Sequence, residues 1–276
     1  MSFAHFDLSG RAALVTGGST GLGEGFAVAL AGAGARVLIS GRDEDKLNQA
    51  CASITREAGC DPGKVTSVSA DLYSPDGVSK LSDFVTGPYG GVDIFAGNAG
   101  AVHAEQAGAI TQAETDACLQ LNLVANIQLT EAFLPQMRAK RWGRIIFSSS
   151  TASALCAPMQ GNHVYAATKS GLNGFARTMA GDLGRDGITI NNIIFGVFWT
   201  SILRNYAENL TETEGKDVTR AFVKSFEEMT AVGRLGEVSD LHGLVQLLAS
   251  DAGSYLTGVS IPLDGGTSIM MRPFPS

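Results

Sequence analysis

Residues 11–33 read RAALVTGGSTGLGEGFAVALAGA, and the order of the parts decides the fold. An apolar run at 11–16 ends in glycines, and Leu22, Phe26, Ala29 and Leu30 then recur at helical spacing. This is a strand, a tight turn and a helix. In the turn, Gly17 and Gly21 allow torsions and close approach that a Cβ would block, while Gly23 lets the helix pack near the strand. The segment Gly17, Ser19, Thr20, Gly21, Leu22 and Gly23 therefore turns open N–H groups and a helix N-terminus toward an anion such as a pyrophosphate. Three glycines alone also suit a merely structural turn. The strand before them and the helix after them are what a dinucleotide-binding loop requires.

Outward from this unit the pattern repeats. Strands are predicted at 36–40, 65–70, 92–96, 144–148, 188–194 and 259–263, with helix-length stretches at 43–58, 111–140 and 165–184. Alternating strands and helices predict an α/β fold: a single-domain, Rossmann-like doubly wound sheet of about seven parallel strands with helices on both faces. The 276 residues fit one domain, 1–276, with no linker and no repeat beyond the strand–helix–strand unit. Residues 200–232 interrupt the rhythm, being polar, irregular and long for a connection. They follow the sixth strand, where they form either a substrate-covering insertion or a surface helix pair.

Composition excludes several functions. Lys and Arg number 20 against 27 Asp and Glu, a net charge of −7, so no basic face for nucleic acid is expected. No apolar stretch is long enough for a membrane span, and the first ten residues lack the basic start and apolar run of an export signal. Cys51, Cys60, Cys118 and Cys156 show no metal-ligand spacing, so no metal is expected and a reducing cytoplasm suits them.

Chemistry-bearing residues follow in order along the chain. Asn98-Ala99-Gly100 comes after the fourth strand, Asn122 lies in the next helix, Ser150 follows the fifth strand, and Tyr165 and Lys169 open a later helix. Tyr165 and Lys169 are four apart and share a helix face, where an ammonium favours the phenolate and suits acid–base work near neutrality. An exposed pair at a helix start is the other reading of that spacing.

The TGxxxGxG spacing, followed by Asn-Ala-Gly and by YxxxK, resembles the short-chain dehydrogenase/reductase family, over about residues 8–266. The resemblance implies that Tyr165 is the acid in reduction and the base in oxidation, and that Lys169 holds the nicotinamide ribose. It also implies that Ser150 bonds the substrate oxygen, and that Asn122 positions a water in a proton relay to Lys169. Asn98, Ala99, Gly100, Thr200 and the backbone of Phe198 would border the cofactor, although Thr200 equally suits a helix N-cap. Relatives are usually homotetramers, or dimers, joined through the helices around 111–140 and 165–184.

Two departures stand out. Ser150 lies fifteen residues before Tyr165, a longer interval than is frequent in the family, and Ser148, Ser149 and Thr151 offer alternative hydroxyls. Phe195-Gly196 stands where most relatives carry Pro-Gly, which frees a backbone N–H.

At the end of the second strand, Gly41 occupies the position of the acidic residue in NAD-preferring members, and Arg42 next to it offers a planar cation for a 2′-phosphate. NADP(H) is therefore favoured. NAD(H) is the alternative, since Thr20 is neutral and Asp43-Glu44-Asp45 lies just beyond. Asp71 and Leu72 would bracket the adenine. His103, His163 and Trp199 are candidate substrate contacts, with Phe195 and Phe198 as pocket or core.

The segments FDLSGRAALVTG and ISGRDEDKL look most like gluconate 5-dehydrogenase-like members. The expectation is an oxidoreductase interconverting a secondary alcohol and a carbonyl on a small molecule: a sugar acid, a polyol or a cyclic ketone. The alternatives are a dinucleotide-binding sensor without chemistry, and a ketoacyl-carrier reductase with Arg138, Lys140 and Arg141 as a docking patch.

Overall fold

The computed structural model describes residues 4–102, 106–153 and 161–270. His103 and Cys156 lie outside them. Seven parallel strands form one sheet: β1 Ala12–Thr16, β2 Arg36–Gly41, β3 Val65–Ser69, β4 Ile94–Gly97, β5 Gly143–Ser150, β6 Ile188–Phe195 and β7 Ser260–Leu263. Their order is β3-β2-β1-β4-β5-β6-β7, so the winding reverses between β1 and β4. At such a reversal the connections leave to opposite sides and open a crevice at the carboxyl ends of the strands.

Alternate strand residues face opposite layers, as the two-residue period requires. Val15 and Ile39 point to one side, against Phe26 and Leu30 of α1 (Gly21–Gly32), Leu47 and Ile54 of α2 (Glu44–Ala58), and Val245 and Leu248 of α9 (His242–Ala249). Leu14, Leu38 and Phe95 point to the other, against Leu81 and Val85 of α3 (Pro75–Thr86), Leu129 and Phe133 of α5 (Ala125–Lys140) and Leu172 of α6 (His163–Leu183). Both layers are dry, which explains why the strands read as continuous apolar runs.

Local chemistry sets the helix ends. Asp43 accepts the Lys46 N–H to start α2, and Gly59 closes it at φ 62°. Thr111 and Glu114 cap α4 (Gln112–Leu119) reciprocally. The stretch expected as one helix over 111–140 is α4 and α5 joined through a widened π-type turn, Gln120–Val124, with Asn122 at its centre.

Residues 200–232 are also regular, as the helix-pair reading of this stretch has it. They form a helix pair, α7 Ser201–Glu214 and α8 Lys216–Glu227, hinged at Gly215 with φ 93°. Tyr206, Phe222 and Phe226 pack along the pair, with ring centroids 5.2 and 4.9 Å apart, so its apolar contacts are largely its own. No described helix is long and apolar enough to cross a membrane.

Candidate active site

A cleft of about 660 Å³ opens at the β1/β4 reversal. Its floor is the glycine turn, where Gly17 and Gly21 adopt φ of 63° and 57°. A Cβ on Gly23 would fall 2.0 Å from the Gly17 carbonyl oxygen and 2.6 Å from Asn98 Nδ2, so only glycine lets α1 start so close to β1. Gly18 is equally constrained, because a Cβ there would lie 2.7 Å from Ile39, a requirement the spacing alone did not reveal. Thr20 sits at the N-cap of α1 without a side-chain cap bond, so the helix N-terminus faces the cleft.

Asn98 ties this turn to β4. Its Nδ2 donates to the carbonyls of Thr16 and Gly17 at 3.1 and 3.3 Å, and its Oδ1 accepts the Ser148 hydroxyl at 2.9 Å. The Thr16 hydroxyl oxygen accepts the backbone N–H groups of Asn98 and Ala99. Ala99 and Gly100 line the cleft as expected.

One end of the cleft is formed by Ser40, Gly41, Arg42, Asp71, Leu72 and Tyr73. Arg42 is exposed, with its guanidinium 5.2 Å from the Tyr73 ring centroid. One Asp71 carboxylate oxygen accepts the Tyr73 N–H at 3.1 Å, and Leu72 is buried. Tyr73 was missed in the sequence; an aromatic residue directly after Asp71-Leu72 was the available signal. The Ser40 hydroxyl is buried and has no hydrogen-bond partner among the described residues, an unused polar group in the cleft wall.

At the other end, β5 and α6 bring Ser150, Tyr165 and Lys169 together. The three serines differ in their partners. Ser148 turns to Asn98, Ser149 Oγ lies 3.0 Å from Ser153 Oγ, and Ser150 lies within hydrogen-bond reach of the Tyr165 phenol. Lys169 is buried and donates to the Ser148 carbonyl at 2.7 Å, with Nζ 5.5 Å from the Tyr165 ring centroid.

The electrostatics correct one expectation. Burial pushes the Tyr165 phenol above its usual 10, against the opposing Ser150 hydrogen bond, rather than an ammonium drawing it down. The same burial pulls Lys169, which donates to the Ser148 carbonyl, down to about 8. Helical spacing places two residues on one face, but it does not say how dry that face is.

Asn122 is fully buried. Its Oδ1 accepts the Ala101 N–H and its Nδ2 donates to the Ala101 carbonyl, both at 2.9 Å, which braces the loop after β4. Cys118, which the sequence reading set aside, lies 3.1 Å from Asn122 Nδ2. The Thr200 hydroxyl oxygen accepts the Leu203 N–H at 3.4 Å as an N-cap, and the residue also lines the cleft beside Gly21.

Three other candidates sit elsewhere. The Phe198 ring is core, edge-on to Phe195 at 5.5 Å and close against Gly236, while its backbone carbonyl, in the segment named for the cofactor, accepts the Thr200 N–H at 2.8 Å. Trp199 lies under the Arg204 guanidinium at 5.4 Å, outside the cleft lining, because its N–H bonds the Gly236 carbonyl and turns the chain away. His163 is exposed at the start of α6 and is not in the lining either. The basic group at the end of α5 is occupied: Arg138 pairs with Asp186, Lys140 with Asp93, and Arg141 donates to the Arg185 carbonyl.

Known proteins resemble this chain in sequence and in fold. A tropinone reductase homolog of Arabidopsis thaliana is 32% identical over 96% of this chain and 93% of its own. L-sorbose reductase from Gluconobacter frateurii, solved in complex with NADPH and L-sorbose, superposes with a TM-score of 0.88 at 28% identity, covering 97% of this chain and 100% of that one. A gluconate dehydrogenase candidate from Agrobacterium tumefaciens superposes with a TM-score of 0.85 at 27% identity, over 97% and 99% of the two chains. The sequence profile described as short chain dehydrogenase matches residues 11–211, so the chain belongs to the short-chain dehydrogenase family and is an oxidoreductase.

Proposed function

We propose that the protein moves a hydride between NADP(H) and a secondary alcohol or ketone on a small molecule. The observation that carries this is the convergence of Ser150, Tyr165 and Lys169 at one end of a cleft whose floor is the glycine cradle. The cradle fits a dinucleotide because Gly17 and Gly21 turn the backbone at positive φ with no side chain over the floor, and a helix N-terminus faces into it. Gly17, Ser19, Thr20, Gly21, Leu22 and Gly23 would hold the phosphates, Arg42 the 2′-phosphate, and Asp71 and Leu72 the adenine. Bound there, the nicotinamide supplies or accepts the hydride.

This chain's residues handle the proton. Burial keeps the Tyr165 phenol protonated at neutral pH, so the site is set to give a proton to a carbonyl oxygen while the Ser150 hydroxyl bonds that oxygen. Lys169 stands 5.5 Å from the phenol ring as its neighbouring cation. Sugar acids, polyols and cyclic ketones are the substrate classes to screen, with residues 200–232 as the cover, supported by Thr200 and Ile202 at the cleft edge. A homotetramer or dimer joined through the helices around 111–140 and 165–184 is the assembly to test, and a reducing cytoplasm suits the unbridged thiols of Cys51 and Cys60.

The cofactor is tested by titrating the protein with NADPH and NADH and following nicotinamide fluorescence. Arg42→Ala is expected to weaken NADPH binding by about 10–100-fold, the worth of a charge-assisted hydrogen bond, and NADH binding by no more than about threefold. Equal losses would refute the 2′-phosphate contact. Gly23→Ala is expected to weaken both cofactors by at least about tenfold, since the new methyl must displace backbone. Unchanged affinity would show that the cradle lies elsewhere.

A further inference from the structure

Cys118, Asn122, Asn126 and Thr130 recur every fourth residue from α4 through the widened turn into α5, and all four are buried. Polar side chains on a helix face that packs against a sheet cost desolvation unless they are bonded. Here they bond along the stripe. The Thr130 hydroxyl donates to the Asn126 carbonyl at 2.7 Å, and Asn126 Nδ2 donates to the Asn122 carbonyl at 3.0 Å. The stripe crosses the turn at 120–124, where the Ala125 N–H bonds the Gln120 carbonyl five residues back instead of four. Widened turns are rare and concentrate at functional sites.

Asn126 does not line the cleft. Its carboxamide is nevertheless held in place from the sheet side, because a Cβ on Gly97 would fall 2.2 Å from Asn126 Oδ1. From Asn126 the contacts lead inward. The Asn122 side chain clamps both polar groups of Ala101, and a Cβ on Gly100 would lie 2.9 Å from Asn122 Oδ1 and 3.3 Å from Lys169 Nζ. Gly100 is thus the thin wall between the clamp and the buried ammonium.

We propose that Asn126 is a positioning residue: its side-chain amide holds the Asn122 carbonyl and the widened turn in the register that clamps Ala101 and keeps Gly100 against Lys169. This rests on the oxidoreductase reading. Groups facing Lys169 are Tyr165 from α6 and Cys118 from α4, so a shift of the turn changes the surroundings of the ammonium from the α4 side.

The test compares Asn126→Thr with Asn126→Val. A threonine hydroxyl can donate to the carbonyl four residues earlier, as Thr130 does here, whereas valine has nearly the same shape and no donor. In the valine variant kcat is expected to fall at least about tenfold, with KM and the NADPH dissociation constant within about threefold of the parent. The pH midpoint of kcat that reports Lys169 should move up from about 8, and the Ala101 amide should exchange faster with deuterium. Threonine should restore all three readouts. Valine and threonine variants that match in rate, midpoint and exchange overturn the proposal, as does a loss shared equally by both. If the valine variant does not fold, Asn126→Ala against Asn126→Ser makes the same comparison. A parent protein that turns over no ketone overturns the oxidoreductase reading instead, and Ala101 exchange then still decides the role of Asn126.

Discussion

Tyr165→Phe is expected to cut turnover by about 10²–10⁴-fold while NADPH binding stays within about twofold of the parent. The substitution removes one oxygen and leaves the ring that packs beside Lys169 and Ser150. Without the phenol no group in the cleft stands where a proton must reach the substrate oxygen, since Ser150 is a hydroxyl with an ordinary alcohol's reluctance to ionise and Lys169 bonds the Ser148 carbonyl. The measurement is steady-state oxidation of NADPH with a ketone panel, alongside fluorescence titration of the cofactor. A dinucleotide sensor would be indifferent to the change, so undiminished turnover sinks the assignment of Tyr165. Loss of binding together with turnover would assign Tyr165 to the cradle and not to the chemistry.

Lys169→Met should separate stability from activity. The buried ammonium titrates near 8 in the folded protein against an ordinary 10.5, so the folded state disfavours its charge. The sign follows from proton linkage: below pH 8 the lysine is charged in both states and the full burial cost is present. Between pH 8 and 10.5 the folded form sheds its proton first and the cost fades. Methionine fills similar space without charge, so the variant should be more stable at pH 6–7 by up to about 3 kcal/mol, less the bond lost by the Ser148 carbonyl. That advantage should shrink through the window from pH 8 to 10.5, and turnover should fall by about 10² or more. Thermal melts across pH give the first result and assays the second. A variant less stable than the parent at pH 6 would mean that Lys169 is held by stronger bonds than the Ser148 carbonyl provides. An active variant would remove Lys169 from the mechanism.

Much of this was legible in the sequence because it depends on short-range rules. Strand positions followed from apolar runs, and the jobs of Gly17, Gly21 and Gly23 followed from what a Cβ cannot do. The choice of Ser150 among four neighbouring hydroxyls rests on register, and Ser148 and Ser149 have partners of their own in Asn98 and Ser153. What escaped depends on contacts or burial. The single extra residue in the turn at 120–124 leaves hydrophobic periodicity almost untouched, so the 111–140 stretch read as one helix. Asn126 was passed over although Asn122, Asn126 and Thr130 share a spacing of four, the signal that marks them as one buried stripe. Polar composition left residues 200–232 open between a cover and a surface helix pair, and the aromatic side chains of the pair pack on one another. Trp199 read as pocket because strand ends point at the cleft, yet the backbone bond to Gly236 carries it past the rim.

The reversal between β1 and β4 has a consequence for how such a protein can change. Arg42 and Tyr73 hang from the ends of β2 and β3, whereas Ser150, Tyr165 and Lys169 belong to β5 and α6 on the far side of the reversal, and the two sets share no bonded partner among the described residues. Free-energy effects at sites without shared partners add. On the proposed 2′-phosphate contact, a drift in Arg42 would re-address the protein to a different pool of reducing equivalents and leave the proposed proton chemistry intact, so that the two traits could evolve one substitution at a time.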